Sequence, residues 1–115
     1  MKFLCYTLGD PSVPIPEPTP EDYQRMGEYM EEANKAGIIL ATGGVADLNE
    51  GVKLSYHNGE FTVRDGPFTE AKELVGGWAL IEVRDQDEAV EWTKRFLVAA
   101  GDSYGEATIR QVFGP

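Results

Sequence analysis

Two carboxylates set beside unusual backbone are the groups in this sequence best placed to do chemistry. Asp65 precedes Gly66-Pro67-Phe68, and Asp10 stands between Gly9 and Pro11. Gly66 is permissive, Pro67 fixes φ near −65° and withholds an N–H, and Phe68 supplies an apolar anchor, so the Asp65 carboxylate is held where a strand must stop. A fixed carboxylate can act as a general base or anchor a ligand hydroxyl. Asp more commonly bonds the N–H groups of its own turn, and that architectural role competes for Asp65. If the loop after the first strand meets the turn after Asp65, Asp10 and Asp65 can share a proton or hold a hard cation. Further oxygen ligands are too few to expect a metal, and for Asp10 the turn into Pro11 is the simpler role.

Five other residues are candidate ligand contacts. Lys72, flanked by Glu70 and Glu73, can pair with Asp65 or offer a cation to an acidic ligand; as an exposed ion pair it contributes only about 0–1 kcal/mol. Tyr6, Tyr56, Trp78 and Arg110 can line a pocket by stacking or ion pairing, although aromatic residues at strand positions more often fill a core. His57 is the only histidine, and a place beside a hairpin turn, opposite Glu60, argues for an exposed cross-strand pair. Cys5, the only cysteine, lies within an apolar strand and reads as a small buried hydrophobe.

The elements that must position these residues are legible. Lys2 to Leu8 reads as a strand, followed by a stiff segment with prolines at 11, 14, 16 and 18. Thr19-Pro20-Glu21-Asp22 opens a helix, with Tyr23, Met26, Met30 and Ala33 as its apolar stripe and Gly37 as its end. Ile38 to Thr42 is a strand-length apolar run. Val52 to Arg64 reads as a hairpin turning at Asn58-Gly59, with Tyr56 facing Phe61 and Leu54 facing Val63. Gly77 to Val83 is a strand, and Asp85 with Glu88 has the spacing of a capping box. Ala89, Trp92, Thr93, Phe96, Leu97 and Ala100 form the second helical stripe, closed by Gly101, and Ala107 to Phe113 is the last strand.

Strand-helix-strand, hairpin, strand-helix-strand predicts an α+β, ferredoxin-like sandwich in one domain spanning residues 1–115, with two helices on one face of an antiparallel sheet. The strand from Trp78 to Val83 is apolar on both faces, and two helices can cover only one. A second copy of the sheet is the expected cover, in a twofold homodimer; the alternative is that the inserted hairpin folds over the open face.

The bulk composition narrows the partners. Ten basic and twenty acidic residues give a formal charge of −10, a surface that repels nucleic acid and anionic membranes. One cysteine excludes an internal disulfide and a thiolate-rich zinc site, so neither metal nor cofactor is expected. The first apolar run is too short for a signal peptide or a membrane span, and the expected compartment is the cytoplasm.

From Lys2 to Phe113 the chain resembles the DGPF family of YCII-related proteins. The residues that carry the resemblance are Asp65-Gly66-Pro67-Phe68, then Glu70, Lys72-Glu73, Gly76-Gly77, Glu82-Val83 and Asp87-Glu88-Ala89, with Gly9-Asp10 and Gly37 earlier. The resemblance implies a ferredoxin-like fold that pairs into a dimeric α+β barrel, with a pocket between sheet and loops. It also implies a bacterial protein, in a family some of whose members are encoded beside sigma factors. Some YCII-related proteins resemble lyases or dehydrochlorinases of small aromatic rings that use a His-Asp pair, the His lying early in the first helix. Glu21 to Gly37 contains no His, so this chain departs from that pattern. The sequence therefore points to a small-molecule-binding module linked to sigma-factor regulation. The alternatives are an isomerase or lyase with Asp65 or Asp10 as base, and a structural interaction protein.

Overall fold

The apolar runs and caps of the sequence become eight elements in the computed structural model, which describes residues 1–9, 17–45, 51–65, 74–101 and 105–114. In chain order they are β1 (Lys2–Gly9), α1 (Pro20–Lys35), β2 (Ile39–Gly44), β3 (Val52–His57), β4 (Glu60–Asp65), β5 (Leu74–Glu82), α2 (Gln86–Ala100) and β6 (Glu106–Gln111). β2, β5, β1 and β6 form one sheet in that order, each pair antiparallel, and β3 with β4 forms a separate ribbon. This is the expected ferredoxin-like arrangement, with the hairpin inserted between its halves.

The helix boundaries follow from their caps. In α1 the Asp22 N–H donates to Thr19 Oγ1 at 3.2 Å and the Thr19 N–H donates to Asp22 Oδ2 at 2.8 Å, a complete capping box. At the other end Gly37 takes φ +71°; its N–H reaches the Asn34 carbonyl, and that of Ile38 reaches Ala33. This is a Schellman closure, which needs the left-handed conformation that glycine adopts without strain. α2 departs from the expected box. Asp85 accepts from the Glu88 N–H at 2.9 Å, but the Glu88 side chain accepts from the Arg84 N–H, one residue before the cap. An ion pair between Arg84 and Glu88 draws the carboxylate there.

Alternation along the strands sorts the main sheet into two faces. Phe3, Cys5, Ala79, Ile81 and Ile109 meet both helices in the core around Ala33 and Ala89. Leu4, Tyr6, Trp78 and Leu80 share the opposite face and stay half-buried. The α1 stripe is shifted from its expected line. Tyr23 is 67% exposed, and Tyr29 packs into the core cluster.

A bulge interrupts the central strand pair. Tyr6 pairs with Trp78 but Leu8 pairs with Val75, so two residues of β5 oppose Thr7. Thr7 is 1% exposed, and its Oγ1 accepts from the Gly77 N–H at 2.8 Å, satisfying a donor next to the break in register. β2 has its own irregularity, with Leu40 as the extra residue between Ile39 and Ala41.

The hairpin register is the expected one: Tyr56 opposite Phe61, Leu54 opposite Val63, His57 opposite Glu60. Asn58 and Gly59 take positive φ, +50° and +81°, as its tight turn requires. The hairpin does not fold over the sheet. Its apolar residues Val52, Leu54, Tyr56, Phe61 and Val63 are 62% to 68% exposed. The radius of gyration, 16.3 Å, exceeds the ~13 Å expected near this length, which fits an arm extending from the body.

Two predictions follow from the local chemistry. Thr7→Val should strand the Gly77 N–H and cost about 1–3 kcal/mol in a denaturant titration, whereas Thr7→Ser, which keeps the hydroxyl, should recover part of that loss. The Thr19 N–H, then the Thr19 hydroxyl and the Arg25 guanidinium, hold Asp22 below the usual carboxylate range. A depressed folded-state pKa means the unfolded chain takes up the proton first, so this stabilisation is present at neutral pH and lost as pH falls through the folded pKa. Urea unfolding followed from about pH 7 to about pH 3 should therefore fall less steeply for Asp22→Asn than for the parent.

Candidate functional site

Large side chains on the helices face small ones on the sheet, and a cavity remains between them. From α1 come Tyr29 and Met30; from α2, Trp92, Thr93 and Phe96. The sheet contributes Cys5, Thr7, Ile39, Gly77, Ala79, Ile81 and Ala107, and the cavity measures about 90 Å³. Tyr29 sets its ring edge-on to both Trp92 and Phe96, with centroids 6.3 Å and 5.8 Å away. These T-shaped contacts fix the aromatic walls while the residues opposite are too short to fill the space. Tyr6, Thr42, Gly43 and Trp78 also border it. Gly43 lies so close to the Trp78 indole that a Cβ there would come within 3.3 Å of the ring.

The threonine hydroxyls of the walls are already engaged. Thr93 is buried; its hydroxyl donates to the Ala89 carbonyl at 2.8 Å and lies 3.7 Å from Cys5 Sγ. Burial pushes the Cys5 thiol up, with the Thr93 hydroxyl opposing in part. Burial also raises the Tyr29 phenol, and the nearby thiol adds to that shift. Arg95 stacks on the Trp92 ring, 4.6 Å from its centroid, without joining the walls. The cavity is thus apolar and holds no ionised group among the described residues.

The candidates from the sequence do not gather in one place. Tyr6 and Trp78 are cross-strand partners, both half-buried and both at the cavity border. Arg110 is exposed and pairs with Leu4 across β1 and β6. Asp65 is the last residue of β4, exposed, opposite Val52. Neither Arg110 nor Asp65 is a wall of the cavity. Asp10, Lys72, the Gly66-Pro67-Phe68 turn and most of the proline-rich segment lie outside the described residues. No cluster of three or more His, Cys, Asp or Glu suited to a metal occurs among the described residues, and no helix there is long and apolar enough to cross a membrane.

Tyr29, Trp92 and Phe96 are the site residues that sequence reasoning did not single out. The last two appear in it only as parts of a helical stripe. The available signal was a mismatch in size, with aromatic residues on both helices and Gly77, Ala79 and Ala107 on the strands they cover.

Comparison with known proteins agrees with this architecture. An uncharacterized protein of Rhizobium meliloti (strain 1021) is 32% identical over 110 residues, which cover 93% of this chain and 86% of that one. The solved structure of 5-chloro-2-hydroxyhydroquinone dehydrochlorinase (TftG) from Burkholderia phenoliruptrix AC1100, in complex with 2,5-dihydroxybenzoquinone, superposes with a TM-score of 0.54. That match covers 100% of this chain and 96% of the other at 18% identity, a likeness of fold. A family profile described as the YCII-related domain matches residues 1–112, and with the whole sandwich inside that span the chain belongs to the YCII-related family.

Proposed function

We propose that the chain is a small-molecule-binding module that works as a twofold homodimer in the cytoplasm, with its ligand in the cavity between helices and sheet. The observation that carries this reading is the cavity itself. A largely apolar concavity walled by aromatic side chains from both helices is the usual form of a small-molecule site. Binding is favoured over turnover because burial raises both Cys5 and Tyr29, two titratable residues of the lining, away from the working pH of a base. A general base needs a group that can accept a proton near the working pH. A ligand-responsive module also suits the sigma-factor setting that the family resemblance implies.

The dimer reading rests on two apolar surfaces, one exposed and one half-buried among the described residues. One is the hairpin face with Tyr56 and Phe61, whose rings lie 4.8 Å apart; the other is the outer sheet face with Leu4, Tyr6, Trp78 and Leu80. Chains of charge −10 repel one another, so two copies meet most favourably through uncharged surfaces such as these. A stable interface buries about 1,200–2,000 Å², more than a single exposed side chain can supply.

In thermal melts, a ligand of the cavity at about 100 times its Kd should stabilise the fold by ~2.7 kcal/mol, and Ala107→Phe, which fills the space, should lose that shift while keeping its helical circular dichroism. A shift unchanged in the variant would place the ligand elsewhere. For the assembly, sedimentation should show a dimer for the parent and a folded monomer for Phe61→Glu, since Phe61 is exposed and packs on Tyr56 of its own ribbon rather than in the core. A monomeric parent, or a dimer indifferent to the substitution, would defeat the homodimer.

A further inference from the structure

We infer that the two copies exchange arms: the β3–β4 ribbon of each lies across the outer sheet face of the other, which sets Tyr56 and Phe61 of the partner subunit against Tyr6 and Trp78 at the border of the cavity. The inference rests on the homodimer reading given above and states how its two surfaces meet.

Register defines what each surface offers. On the ribbon, Val52, Leu54, Tyr56, Phe61 and Val63 share one face with a single charged residue, Asp65, at its base, while Lys53, Glu60 and Arg64 fall on the other face. On the sheet, Leu4, Tyr6, Trp78 and Leu80 make an apolar centre. Arg110 stands opposite Leu4, Lys2 opposite Glu82, and Glu106 opposite Leu8. Two basic and two acidic groups thus leave this face without net charge in a chain of −10. The acidic excess lies elsewhere, so these two faces approach each other with little repulsion. Asp65 also finds a cation, Arg110, on the surface it meets.

Dimensions agree with this arrangement. Strands of six residues make the ribbon ~20 Å long, and three spacings of ~4.8 Å make the four-stranded sheet ~14 Å across, so one arm spans one sheet. Tyr56 and Phe61 are 66% and 68% exposed, and aromatic residues can bury ~150–250 Å² each. With their three aliphatic neighbours, both sides counted and the contact made twice by a twofold axis, the total is of the order of the ~1,200–2,000 Å² that stable interfaces bury. Like-on-like contacts cover less. Two arms face to face leave the sheets out, two sheets face to face leave the arms out, and hydrophobic stabilisation scales with the area removed from water.

Mixing two variants tests the exchange. Phe61→Glu spoils an arm and Leu80→Lys spoils a sheet face, so each variant alone should sediment as a folded monomer at a concentration where the parent is a dimer. Mixed in equal amounts they should sediment as a dimer, because one contact is then native and the other sets Glu against Lys. Tyr6→Lys takes the place of Leu80→Lys if that chain loses its helical circular dichroism. A second readout locates the arm. Trp92→Phe leaves Trp78 as the sole tryptophan, and its emission should move to the red when Phe61→Glu frees the sheet face.

If each variant is monomeric alone and the mixture stays monomeric, arm exchange is overturned while the homodimer stands on another contact. A Trp78 emission that is the same in the Phe61→Glu monomer and the parent dimer overturns it too. A parent that is itself monomeric defeats the homodimer and this inference together.

Discussion

The antiparallel pairing of β1 with β5 is the constraint on which the rest of the molecule depends. These two strands are the centre of the sheet, and their inward residues, Phe3 and Ile81, are 1% and 3% exposed. Both helices find their seats on this pair, through Ala33 and Ala89, each fully buried. Alanine at those points lets the helices approach closely, while the bulge at Thr7 breaks the register one end away. The hydroxyl of Thr7 bonds a backbone donor of β5 beside that break, and glycine and alanine occupy the neighbouring inward positions. Tight packing at one end of the sheet and a gap at the other are thus consequences of one strand pair.

Much of this was legible in the chain, for physical reasons that are local. The hairpin register follows from Asn58-Gly59 and strict alternation, because a two-residue turn leaves one way to align the strands. Both helix starts follow from Thr19 and Asp85, whose oxygens complete the first turn. The shift of the α1 stripe from Tyr23 to Tyr29 was not legible, since both positions fit a helical period and only the partner surface decides between them. The Glu88 carboxylate turned to Arg84 rather than to the cap because an ion pair with its neighbour competed for it.

The cavity could not be read from spacing at all. Its walls come from β1, α1, β2, β5, α2 and β6, separated by up to a hundred residues, and what makes it is volume left over. A sequence shows which residues face inward; it does not show whether their sizes sum to the space available. The carboxylates that looked most reactive in the sequence stand beside glycine and proline, and the one that is described, Asp65, is solvent-exposed on the ribbon. Local oddity and enclosed space are different signals, and here they point to different parts of the molecule.

The exposed ribbon also has a colloidal consequence. Among the described residues the two-stranded arm pairs with no other strand and presents an apolar face, a combination that favours uncontrolled strand addition. The excess of ten negative charges on the chain then acts as a guard, keeping copies apart except where an uncharged surface meets its complement. That guard is ionic and weakens within a Debye length of ~8 Å at physiological salt. As ionic strength rises, the arm thus becomes the part of the molecule that limits its solubility.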